Sequence, residues 1–155
     1  MNGNPSLLLD TNIVIGFLNG DKVITRFLTT PNTNQKIFTV SQITRMELLG
    51  FPNITVDEEI IIKQFLDQTI ILALTDEIAD KVIELRKKTR LKLPDAIIVA
   101  SALVHRLKLI TCDEQLIKST PTLLSINPIN NENFFIIPTD YYSHLCNRIW
   151  RYINY

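Results

Sequence analysis

Asp10, Glu47, Asp95 and Asp113 are the residues of this chain whose type and setting could do chemistry. They lie far apart in sequence, yet each stands where an apolar run ends or a helix begins. Asp10 closes Leu7-Leu8-Leu9 and opens Asp10-Thr11-Asn12. Glu47 follows Ser41-Gln42-Ile43-Thr44-Arg45-Met46. Asp95 separates Pro94 from Ala96-Ile97-Ile98-Val99-Ala100, and Asp113 follows Leu109-Ile110-Thr111-Cys112. Carboxylates that converge repel one another and lose hydration. A divalent cation relieves both costs, and it can polarise a phosphoryl group and activate a water. Hard oxygen donors with no His or Cys pair nearby suit Mg²⁺ or Mn²⁺ better than zinc. Each acid also has a plain structural reading. An Asp after a strand caps helices and forms turns. Asp95 could serve a helix dipole, and Asp113 could cap a short segment from Glu114 to Lys118.

The elements that must position these acids alternate. Leu7-Leu8-Leu9, residues 36–40, residues 69–74, residues 108–111 and residues 123–126 read as strands. Between them lie amphipathic helical segments. Asn12 is a candidate cap for the first, Asp21 for the second, Ser41 for the third, and Thr75 opens the one that runs to Arg90. Residues 56–66 carry Asp57, Glu58 and Glu59 in their first turn, where a helix dipole favours negative charge. Pro94 suits the start of the helix that holds Asp95. Strand–helix alternation predicts an α/β fold with a mainly parallel sheet covered on both faces. In such sheets, sites form outside the carboxyl ends of the strands, where Asp10 and Asp113 fall.

The chain of 155 residues is long enough for one domain with a real core. Its formal net charge is zero, so any affinity for an acidic polymer must come from a local surface. Lys87, Lys88, Arg90 and Lys92 lead up to Asp95 and form such a candidate surface. The plainer reading is a solvated helix end whose cations suit the dipole. No signal peptide or membrane span is expected. Cys112 and Cys146 are the only cysteines, which fits a reducing cytoplasm better than a disulfide framework. With four glycines and no glycine-rich loop, nucleotide-cofactor folds are disfavoured. A phosphatase with an aspartyl nucleophile would want a second Asp two residues after Asp10, where this chain has Asn12. The domain is expected to span residues 1–128. Residues 129–155 hold every tyrosine and the one tryptophan, and read as a helical extension docked on the same domain.

The ordered set Leu8-Leu9-Asp10-Thr11-Asn12, Ser41 to Leu48, Leu93-Pro94-Asp95-Ala96 to Ala102 and Leu109 to Leu116 resembles PIN-domain ribonucleases. Within them it resembles the VapC-type toxins of VapBC toxin–antitoxin pairs. The likeness covers roughly residues 6 to 128; no one motif is specific, but the ordered set is. It implies a Rossmann-like three-layer α/β/α sandwich and an acidic pocket that binds Mg²⁺ or Mn²⁺. Asp10 and Asp95 match the principal metal ligands. Glu47 and Asp113 complete the pocket, by ligation or by positioning water, and Thr11, Asn12 and Thr111 are neighbours that could orient them. The implied reaction is hydrolysis of an RNA phosphodiester to a 5′-phosphate and a 3′-hydroxyl. The implied partners are a VapB-like antitoxin lying across the active-site groove and a second copy of the chain. Ile15, Phe17 and Phe51 are candidates to line that groove, or to lie in the core. The alternatives are a standalone PIN nuclease in RNA processing and a catalytically idle module that binds RNA or protein.

Overall fold

Leu7, Leu8 and Leu9 form β1 (Leu7–Leu9), the middle strand of a five-stranded, all-parallel sheet. In this computed structural model, residues 7–30 and 38–130 are described. A strand apolar on both sides must be covered on both faces, which is why β1 lies at the centre. Leu7 and Leu9 pack into one core with Ile13, Val14, Ile15, Phe27, Leu48 and Ile62, whereas Leu8 packs into the other with Ile78, Ile98, Val99 and Leu109.

The chain first builds one side of the sheet. α1 (Thr11–Leu18) and α2 (Lys22–Thr29) follow β1, then β2 (Phe38–Ser41), α3 (Gln42–Leu49), α4 (Val56–Leu66) and β3 (Ile70–Leu72). It then crosses to the other side of β1. α5 (Asp76–Lys88), α6 (Leu93–Val104), β4 (Lys108–Ile110), α7 (Glu114–Ser119) and β5 (Ser125–Ile126) complete the described fold. The strand order is therefore β3-β2-β1-β4-β5. Leu7, Leu8 and Leu9 register with Phe38, Thr39 and Val40 on one flank, and with Lys108, Leu109 and Ile110 on the other. The strand order reverses between β1 and β4. In open α/β sheets such a reversal leaves a crevice at the carboxyl ends of the strands.

Local chemistry sets the helix starts. Asp21 accepts from the Val23 and Ile24 amides, and Ser41 caps α3 through the Ile43 amide. Thr55 and Glu58 form a reciprocal capping box on α4, and Thr75 caps α5 through the Ile78 amide. One expected cap is corrected. The first helix is capped by Asp10, whose side chain accepts from the Thr11 amide, so Asn12 lies inside its first turn. The third strand is also shorter than its apolar run. Ala73 and Leu74 turn away before the Thr75 cap and are exposed. The aromatic extension falls outside the described residues, except for its first two positions. Among the described residues, no helix is long and apolar enough to cross a membrane.

Because Leu8 is fully buried on the central strand, Leu8→Ala is expected to lower unfolding free energy by about 2–5 kcal/mol in urea titrations. A loss below about 1 kcal/mol would mean that this face is not the packed core described.

Candidate active site

Asp10 stands where β1 passes into α1, and the fold holds it from several directions. Its amide donates to the Ile110 carbonyl at 3.0 Å, tying the end of β1 to β4. Its Oδ1 accepts from the Thr11 amide at 2.7 Å. Its Oδ2 accepts from the Thr111 hydroxyl at 2.6 Å and from Asn12 Nδ2 at 2.8 Å. Thr111 in turn accepts from the Asp113 amide at 3.0 Å, and Asn12 Oδ1 accepts from the Cys112 amide at 3.3 Å. The segment after β4 is thus fastened to the acid after β1. Asp10 is only 5% exposed.

Glu47 reaches the same place from α3. The Thr11 hydroxyl donates to Glu47 Oε2 at 2.5 Å, and it lies 3.0 Å from the hydroxyl of buried Thr44. Asp95 sits in the first turn of α6, after Pro94. Asp113 caps α7, its Oδ1 accepting from the Gln115 and Leu116 amides at 2.8 and 3.0 Å. The capping reading of Asp113 therefore holds, and it does not exclude a second role. All four acids line one open cavity of about 480 Å³, together with Thr11, Asn12, Met46, Phe51, Pro52, Lys92 and Ile98.

The acids act on one another. Burial pushes the Asp10 carboxyl up to about 7; bonds from Thr111 and Thr11 oppose the rise, and the charges of Asp95 and Glu47 add to it. Glu47 is raised first by burial, is held down by the Thr11 bond, and is raised further by Asp95. Asp95 is raised by burial and by Asp113, and is lowered by Lys92. Each acid therefore lies within electrostatic reach of another, and together they concentrate unneutralised negative charge in one crevice. Among the described residues, no three Asp, Glu, His or Cys side chains form a ready-made ligand cage. Mg²⁺ does not require one. It keeps several waters and takes one or two carboxylates together with substrate oxygens. A half-open cavity with oxygen donors and a deficit of positive charge fits that habit.

The structure sorts the remaining expected residues. Thr11, Asn12 and Thr111 all hold a carboxylate or its neighbouring backbone. Lys92 lines the cavity, whereas Lys88 is paired with Glu84 at 2.8 Å on an exposed face of α5, and Lys87 is exposed. Ile15 is core, and Phe17 packs against the core with its ring 5.9 Å from that of Phe65. Only Phe51 of the three groove candidates reaches the cavity. Sequence reading missed Thr44, Met46, Pro52 and Ile98. The one available signal was periodic: Thr44 and Leu48, four apart on α3, are its buried positions, so a polar Thr44 beside Glu47 faces inward.

Similarity to known proteins bears on the family and the fold. The family profile described as PIN domain matches residues 7–120. A toxin–antitoxin complex from Klebsiella pneumoniae contains a chain 33% identical to this one, with a TM-score of 0.67, covering 79% of this chain and 98% of its own. VapBC2 from Rickettsia felis bound to promoter DNA is similar at a TM-score of 0.69 and 19% identity, covering 78% of this chain and 97% of that one. DNA-bound VapBC from Salmonella typhimurium is similar at 0.68 and 20%, covering 81% and 99%. The last two likenesses are to the fold alone. No curated protein matches the chain.

Two outcomes are expected of the isolated site. In the metal-free protein, the raised Asp10 carboxyl favours the folded state when protonated, so its contribution is full below about pH 4 and is lost as pH rises through about 7. Urea unfolding in EDTA should show stability falling across that window, with a flatter profile for Asp10→Asn; identical profiles would contradict it. Thr111→Val removes one of the two side-chain bonds to Asp10 Oδ2, and is expected to weaken divalent-cation affinity by about 10–100-fold in calorimetry while leaving the fold intact.

Proposed function

This chain belongs to the PIN-domain family, and on that premise we propose that it is a divalent-cation-dependent endoribonuclease, the toxin of a toxin–antitoxin pair. One observation carries the reading: four acids from four separate elements line a single cavity at the reversal point of the sheet. A catalytically idle module would have no need to keep that charge together.

Asp10 and Asp95 would hold Mg²⁺ or Mn²⁺, with Asp113 at the rim of the same cavity. When bound, the ion supplies Lewis-acid stabilisation of charge on the phosphoryl oxygens and favours deprotonation of a water. The chain's own groups do the rest. Thr111, Asn12 and the Thr11 amide fix the Asp10 carboxylate, so its orientation is set before substrate arrives. Thr11 aims Glu47 into the cavity. Glu47, its affinity for a proton raised by burial, is suited to accept a proton from an attacking water. Met46, Phe51 and Pro52 form an apolar wall on one side, which limits the water around the reacting phosphate.

The 33% identical relative is part of a toxin–antitoxin complex. This supports a cognate VapB-like antitoxin as partner for the present chain. An antitoxin presenting an Arg to the carboxylates would neutralise them as a cation does, and so compete with metal and substrate. A homodimer belongs to the same proposal.

The test is cleavage of single-stranded RNA in Mg²⁺ or Mn²⁺ by the purified full chain. Cleavage is expected from the wild type and to vanish in EDTA. It should fall to background in both Asp10→Asn and Asp95→Asn, each still folded by circular dichroism. Undiminished cleavage by both variants would overturn the assignment.

A further inference from the structure

Beside the acidic cavity, with Asp95 and Asp113 common to both linings, lies a smaller one of about 180 Å³. Lys92, Asp95 and Asp113 line both, so they form the boundary between the two spaces. Arg90, Gln115 and Ser119 line only the smaller. The smaller cavity thus has Asp95, Asp113 and Lys92 along its shared edge, and Arg90, Gln115 and Ser119 beyond it, over a floor that includes Leu91 and Leu116.

The basic run from Lys87 to Lys92 is divided by the structure. Lys87 lines neither cavity, and Lys88 is spent on Glu84. Among the described residues, neither Arg90 nor Lys92 makes a direct ion pair, although the charge of Lys92 acts on Asp95. They lie on the short connection between α5 and α6, just after Thr89 closes α5 and just before Pro94 opens α6. The buried Leu91 between them anchors that connection in the core, so the cations flanking it are held in place and not carried on a free arm. An unpaired guanidinium and an ammonium beside a concave surface, with amide and hydroxyl groups within it, are what a phosphodiester requires. Arginine offers a fork to two phosphate oxygens, lysine a point charge, and Gln or Ser bonds to phosphate or sugar oxygens.

We propose that this second cavity is a phosphate subsite, in which Arg90 and Lys92 hold an RNA phosphate flanking the one that is cleaved. The assignment rests on the nuclease reading above and extends it. Its consequence is positional. The strand enters or leaves the catalytic cavity past Asp95 and Asp113, across the α5–α6 connection, and not along the exposed face of α5 that carries Lys87 and Lys88. Arg90 and Lys92 are positioning residues: they fix the register of the strand on the acids without touching the reacting phosphorus.

The experiment compares Arg90→Gln/Lys92→Gln with Lys87→Gln/Lys88→Gln in the full chain. Binding is read by anisotropy of a fluorescein-labelled single-stranded RNA across a KCl series, in an Asp10→Asn background that removes cleavage. Removing two cations that neutralise the backbone of a single strand should make the salt dependence of log K shallower by about 1.4. That change is expected for the Arg90/Lys92 pair and not for the Lys87/Lys88 pair. With Asp10 intact, Arg90→Gln alone, which leaves the lining of the catalytic cavity untouched, should raise KM with kcat retained. An unchanged slope for the Arg90/Lys92 pair together with an unchanged KM for Arg90→Gln, with wild-type cleavage intact, would overturn the subsite and leave the nuclease reading standing. Wild-type protein that neither binds nor cleaves RNA would overturn both.

Discussion

The constraint on which this structure turns is the burial of one carboxylate, Asp10, among others of its own sign. Moving a lone charged carboxylate out of water costs several kcal/mol. Here the Thr11 amide, Asn12 and the Thr111 hydroxyl satisfy its oxygens. They offset part of the penalty, yet burial outweighs them and, with the charges of Asp95 and Glu47 added, pushes the carboxyl up to about 7. Hydrogen bonds alone do not neutralise the site. A divalent cation would supply the missing charge, and the same concentrated negative field that makes the metal-free state costly would hold that cation tightly.

The sheet exists in a form that enforces this. β1 lies between β2 and β4, and the order of strands reverses beside it. Elements distant in sequence therefore open onto one crevice. Asp10 leaves β1, Asp113 follows β4, Glu47 reaches back from the helix after β2, and Asp95 arrives with α6 from the opposite layer. The bond from Thr111 to Asp10 and the bond from the Asp113 amide to Thr111 make a continuous path from one strand end to the next. Stability of the sheet edge and placement of the acids are thus parts of one network. Asp113 shows the economy of it, because one of its oxygens caps α7 while its side chain lines the cavity.

Much of this was legible in the order of the residues. The strand–helix alternation implied the parallel sheet, and caps such as Asp21, Ser41 and Thr75 announced the helix starts through their own hydrogen-bonding chemistry. Asp10, Asp95 and Asp113 could be picked out because each stands at an element boundary, whereas Glu47, inside α3, stood out only as a member of the ordered set. What the sequence could not supply was distance. Asn12 read as the first cap because it precedes the apolar stripe, but Asp10 was already placed to accept from the Thr11 amide, which freed Asn12 to bridge Asp10 and Cys112. Thr44 left only its four-residue spacing from Leu48 as a signal, and a helical period marks a face without saying that a hydroxyl on it meets Thr11. The basic run read as a single feature, and only three-dimensional placement separated Lys88, paired along its own helix, from Arg90 and Lys92 beside the site.

The most direct measurement is a crystal of the wild-type chain grown in Mn²⁺, with data collected at the manganese absorption edge. The account predicts anomalous density inside the acidic cavity, against Asp10 and Asp95, and its loss in crystals of Asp10→Asn. Anomalous density confined to other parts of the surface, or none in a well-ordered cavity, would contradict the claim that the buried carboxylates are there to bind a divalent cation.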